Sequence, residues 1–117
     1  EKVKAHVGDV DFAVQPELVS LLSSRNFGRY ADEKGEMKVC FISNNDITGG
    51  NSGSAMFNSK GELLGLAFDG NWEAMSSDIL YEPKMQRTIG VDVRYILFMI
   101  EKYGKAGNLI KELNIIN

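Results

Sequence analysis

The chain has 117 residues and a formal net charge of −3, a size that fits one domain or part of one and leaves no room for a second core. No clustered excess of Lys and Arg is present to meet phosphates, which sets nucleic acid aside as a partner. One cysteine and one histidine make neither a disulfide framework nor a Cys/His metal site, so neither a metal nor a cofactor is expected.

Glu1-Lys2 open the chain with neither an initiator methionine nor a signal peptide, which reads as a piece of something longer. Pro16 suits a first helical turn and Leu18, Val19, Leu21 and Leu22 repeat at helical spacing, predicting a helix over 16–25. Asn26 to Gly35 reads as a mostly polar loop. Met37 to Ser43 reads as a strand apolar on both faces and therefore buried, with Cys40 as a small buried hydrophobe. Ala55 to Phe57 and Leu63 to Phe68 read as strands joined by the hairpin signal Asn58-Ser59-Lys60-Gly61. Asn71 to Gln86 lack periodicity and predict a long surface loop. Arg87 to Val93 is a short strand, and Asp92 can cap the helix that follows. That helix carries Ile96, Leu97, Ile100 and Tyr103 as one apolar stripe and stops at Gly104; Asn108 to Leu113 is a last short helix. The longest apolar run, Tyr95 to Ile100, falls far short of the roughly 20 residues of a membrane span.

Between the first two strands stands Thr48-Gly49-Gly50-Asn51-Ser52-Gly53-Ser54, a serine inside a glycine-rich turn. Small residues here suit a nucleophile: Gly50 can take a backbone conformation closed to other residues, and Gly53 lets the chain turn away without blocking the hydroxyl. The amides of Gly50 and Ser52 can then converge as an oxyanion hole, a pair of donors each worth about 3–4 kcal/mol to the transition state. The heptapeptide taken alone suits an ordinary hairpin loop slightly better.

The residues around it decide between the two. Gly28-Arg29-Tyr30-Ala31-Asp32, the serine turn, the run from Gly61 through Phe68-Asp69-Gly70-Asn71-Trp72-Glu73 to Met75, Gln86-Arg87-Thr88-Ile89 and Val91-Asp92-Val93-Arg94-Tyr95 belong together. In that combination the chain resembles the C-terminal end of the bacterial serine dipeptidyl-peptidases of the dipeptidyl-peptidase 7 and 11 type. The resemblance covers nearly the whole chain; one departure is Ala55, where the family usually has proline. It implies a mainly β fold with helical additions, the C-terminal β-barrel half of a chymotrypsin-like double barrel, with residues 1–117 as the C-terminal part of the catalytic domain. It also implies a periplasmic location, oligopeptide substrates with a free N-terminus, and a homodimer as the assembly to look for in the longer protein.

A serine needs a base, normally a histidine oriented by a carboxylate. The sole histidine, His6, has no catalytic context and reads as a solvated side chain. The resemblance implies that the catalytic His and Asp come from the first barrel, N-terminal to this chain. Asp46, six residues before Ser52, sits where a trypsin-like enzyme selects Lys or Arg. Asn44-Asn45-Asp46 is also a run of turn formers, so Asp46 reads as structural, with basic specificity as the lesser alternative. Asp69 and Gly70 end the strand that would flank the substrate. The resemblance implies that Asp69 binds the substrate's free amino group, a charge-assisted contact. Family members with arginine at position 70 prefer acidic penultimate residues and those with glycine apolar ones, so Gly70 implies apolar preference. Phe68 and Trp72 read as packed aromatics, with a place lining the same cleft as the lesser alternative.

The expected function is release of N-terminal dipeptides by the full-length enzyme, with Ser52 as nucleophile, Gly50 and Ser52 amides as oxyanion hole, and Asp69 and Gly70 binding substrate. Residues 1–117 alone are expected to be inactive. The alternative is a non-catalytic chymotrypsin-like domain with a peptide-binding or structural role.

Overall fold

The structure is a computed structural model that describes residues 5–76 and 82–116. A 3₁₀ turn at Val10–Phe12 precedes helix α1, Pro16–Ser23, and a second 3₁₀ turn follows at Gly28–Tyr30. Strands β1 (Cys40–Ser43), β2 (Ala55–Phe57), β3 (Leu63–Gly70) and β4 (Thr88–Asp92) come next, with a 3₁₀ turn at Trp72–Ser76 between the last two. Helix α2, Val93–Phe98, runs on as a π-helical turn to Tyr103, and α3 spans Gly107–Lys111.

Local signals place most of these elements. Pro16 starts α1, where its missing N–H costs nothing. Asn58 turns the hairpin, its side-chain oxygen accepting from the amides of Lys60 (2.9 Å) and Glu62 (3.0 Å). Asp92 caps α2 by accepting from the Arg94 amide at 2.9 Å and binds that residue's guanidinium with both oxygens. The π-helical turn ends at Gly104, as expected, but the left-handed residue that reverses the chain is Lys105. The loop expected over 71–86 contains the 3₁₀ turn at Trp72–Ser76. Its residues 77–81 lie outside the described residues.

The four strands pair antiparallel in the order β1-β4-β3-β2. Cys40 to Ser43 face Val91 to Thr88 in register, whereas the β3–β4 pairing slips between Ala67 and Asp69. That bulge aims the end of β3 differently from its body. Burial alternates along β4, with Thr88, Gly90 and Asp92 buried and Ile89 and Val91 half-buried. The same face takes Phe41 and Ser43 from β1, leaving Cys40 and Ile42 exposed. The expected strand over Met37–Ser43 is therefore shorter and open on one face, and Cys40 is not buried. Period-two alternation within the strand, not its overall apolarity, decides which side chains are covered.

The hydrophobic core lies among the helices. Phe27, Tyr30, Leu97, Phe98 and Ile110 are buried together, with Leu21 and Leu22 of α1 packed against them. Phe98 is fully buried and meets Phe27 and Tyr30 edge to face, centroids 5.7 and 6.3 Å apart. Two of the five core residues thus come from the segment that reads as a polar loop. Burial, then the Glu101 carboxylate nearby, push the Tyr30 pKa up to about 12. Tyr30 therefore serves as a neutral core aromatic.

Candidate active site

The serine turn is built by its own side chains and then docked on β3. Asn51 closes it: its side-chain oxygen accepts from the Thr48 amide at 2.8 Å, and its own amide donates to the Thr48 carbonyl at 3.2 Å. Gly50 and Gly53 hold φ of +91° and +89°, which side-chain-bearing residues rarely adopt. The Gly53 amide then donates to the Ala67 carbonyl (2.7 Å), and the Ala67 amide to the Ser54 carbonyl (2.8 Å). These two bonds fix the turn against the strand that leads to Asp69.

Ser52 is exposed, and its hydroxyl donates to the Phe68 carbonyl at 3.4 Å. That contact sets the hydroxyl beside the residue preceding Asp69. No backbone carbonyl among the described residues accepts from the amide of Gly50 or of Ser52. Two N–H groups without a backbone carbonyl partner, one of them on the serine itself, are the kind of donor a developing oxyanion requires. Asp69 is exposed, and its side-chain oxygen accepts from the Gly70 amide at 2.8 Å, which orients the carboxylate.

Gly70 ends β3 opposite Thr88, whose hydroxyl donates to the Asn45 carbonyl at 2.7 Å and so ties the loop before the serine turn to β4. A Cβ on Gly70 would stand 2.8 Å from the Ala74 Cβ and 3.5 Å from Ile47 Cγ2. Space at position 70 is therefore bounded by Ala74 and Ile47, two residues that no motif or periodicity singles out. Asn71 fixes this corner: its amide donates to the Arg87 carbonyl (2.9 Å), its side-chain oxygen accepts from the Arg87 amide (2.8 Å), and its side-chain nitrogen donates to the Met85 carbonyl (2.8 Å). A doubly engaged carboxamide after a strand is invisible to propensity but follows from the closeness of the two strand ends.

Of the sequence-predicted site residues, Gly50, Ser52, Asp69 and Gly70 thus sit on two segments that hydrogen-bond each other. His6 lies elsewhere in role, stacked on Phe12 with centroids 4.3 Å apart. Asp46 is exposed in the loop after β1. Phe68 and Trp72, expected to be packed, are 57% and 82% exposed. Both flank the Asp69-Gly70 corner, where the bulge and the 3₁₀ turn direct them away from the core.

The sequence matches the Peptidase S46 family over residues 1–115. It is 63% identical over 106 residues to a protein of Porphyromonas endodontalis named dipeptidyl-peptidase 7, covering 91% of this chain and 13% of that one. It is 49% identical over 109 residues to an Asp/Glu-specific dipeptidyl-peptidase of Capnocytophaga gingivalis, covering 93% of this chain and 15% of the relative. The crystal structure of Porphyromonas endodontalis DPP11 with the dipeptide Arg-Glu superposes with a TM-score of 0.88 at 42% identity, covering 95% of this chain and 16% of that one. The antiparallel sheet with helical additions is therefore a fold shared with a solved relative. The chain spans about one seventh of the length of these proteins.

Proposed function

The chain belongs to the peptidase S46 family, and from that premise we propose that it forms the C-terminal part of the catalytic domain of a periplasmic serine dipeptidyl-peptidase, the second β-barrel of a chymotrypsin-like pair. The observation that carries this reading is Ser52, exposed at the tip of a turn in which Gly50 is left-handed and the amides of Gly50 and Ser52 meet no carbonyl.

In the proposed reaction the Ser52 hydroxyl attacks the carbonyl carbon of the second residue of an oligopeptide. A histidine held by an aspartate, both from the preceding barrel, takes its proton. The charge that develops on the carbonyl oxygen is met by the two amides. Collapse expels the amine, protonated by the same histidine, and water then releases the dipeptide. Asp69 pairs with the substrate's α-ammonium group, which fixes the product as a dipeptide. Gly70 adds no charge at the cleft wall, so an acidic penultimate side chain finds no counter-ion there and an apolar one is preferred. No cofactor is required.

The test is Ser52→Ala in the full-length protein, with the fold checked by circular dichroism. Dipeptide release should fall to the residual of about 10³–10⁴ over water that binding and the oxyanion hole supply. Undiminished turnover removes Ser52 from the mechanism. A fluorophosphonate should label Ser52 rapidly in the full-length protein and slowly in residues 1–117 alone, because an unactivated hydroxyl is a poor nucleophile. Equal, slow labelling in both would favour the non-catalytic domain, whereas rapid labelling of residues 1–117 would place a base within them, with His6 the group to test.

A further inference from the structure

We propose that residue 74 is a second specificity-determining position, deciding whether position 70 can carry a side chain at all. The inference rests on the reading of Gly70 as a wall of the substrate cleft. Gly70 is not among the glycines with positive φ, so backbone conformation does not demand glycine there. Space does. A Cβ on Gly70 would approach the Ala74 Cβ to 2.8 Å, about 1 Å inside the usual separation of two carbon atoms. Its next neighbours, Ile47 Cγ2 at 3.5 Å and the Arg87 carbonyl oxygen at 3.8 Å, are ordinary contacts. Ala74 alone excludes it.

Nor can Ala74 give way cheaply. A methyl group has no rotamer to change, so its Cβ moves only with the backbone of the 3₁₀ turn Trp72–Ser76. That turn is tied down at its start, the Ala74 amide donating to the Asn71 carbonyl at 2.9 Å. Asn71 is itself held to the strand entry by its three bonds with Met85 and Arg87. A side chain at position 70 must therefore either break this clamp or meet glycine at position 74. Acidic specificity is reached by the pair of changes, and arginine at 70 by itself distorts the wall it is meant to charge.

The experiment compares Gly70→Arg, Ala74→Gly and the double variant in the full-length protein. Two readouts are taken: hydrogen exchange at the Asn71 and Arg87 amides, and the ratio of kcat/KM for Glu and Leu dipeptidyl substrates. Gly70→Arg should speed exchange at both amides about tenfold or more, and adding Ala74→Gly should restore protection. The double variant should exceed Gly70→Arg about tenfold or more in kcat/KM for the Glu substrate, since a guanidinium in place pairs bidentately with a carboxylate. Wild-type protection in Gly70→Arg, or lost protection that glycine at 74 does not restore, overturns the steric gate. Restored protection with an unmoved Glu/Leu ratio overturns the reading of Gly70 as cleft wall, and with it the specificity role of residue 74.

Discussion

Gly49 and Gly50 are adjacent, alike in sequence and unlike in structure, and exchanging each for alanine separates backbone from chemistry. A Cβ on either would meet nothing within 4 Å, so crowding is not in question at either site. Only Gly50 has a positive φ, +91°. Gly49→Ala should be neutral or stabilise by about 0.4–1 kcal/mol through the unfolded chain. Gly50→Ala must hold an L-residue in a left-handed conformation at a cost of about 1–2 kcal/mol, or relax. Relaxation is the cheaper route in an exposed turn, and it rotates the peptide whose N–H is the proposed oxyanion donor. Loss of one such donor lowers kcat by about 10²–10³-fold, or about 2.7–4 kcal/mol of transition-state stabilisation. KM should change little, because the donor acts on charge that appears only in the transition state. Steady-state kinetics of the two full-length variants on a dipeptidyl naphthylamide give the comparison directly. If Gly50→Ala keeps kcat within a few-fold of wild type, or if Gly49→Ala loses as much, the amide of Gly50 is not an oxyanion donor.

Two further outcomes follow from the core and from the charge network. Phe98, fully buried against Phe27 and Tyr30, leaves a large cavity when cut to alanine. Phe98→Ala should cost about 3–5 kcal/mol and raise hydrogen exchange of the α2 amides in the full-length protein; an unchanged exchange pattern would mean the helices do not depend on this core. Asp32 accepts from the amides of Lys34 and Glu36, both at 2.9 Å, and pairs with Lys38 at 3.1 Å. The Glu36 amide first, and then Lys38, hold its carboxyl below the usual carboxylate range. A depressed folded value means that the stabilisation is complete above the unfolded aspartate value of about 3.9 and is lost as pH falls through the folded one. Protection of the Lys34 and Glu36 amides, corrected for intrinsic exchange, should be flat above about pH 5 and decline in acid. Asp32→Asn should remove that decline, and protection that weakens with rising pH would contradict the assignment.

Features that the sequence by itself determined are those whose cause is local. Pro16 starts a helix because its ring presets φ, Asp92 caps one because its carboxylate reaches an amide two residues on, and Asn58 to Gly61 turn because Asn58 bonds the amides that follow. The serine turn was legible for the same reason, since its glycines and Asn51 interact within one heptapeptide. Tertiary structure alone decided the rest. Phe27 and Tyr30 look like loop residues until Phe98, about 70 positions away, covers them. Cys40 and Ile42 read as buried because an apolar run does not announce which of its faces finds a partner layer. Asn71 is one more polar residue until Met85 and Arg87 arrive beside it. Ala74 carries no chemical signal, and its hold over position 70 exists because a 3₁₀ turn folds back on the end of β3. Period and propensity report the forces along a few residues, whereas burial and close approach depend on segments that meet only when the chain is folded.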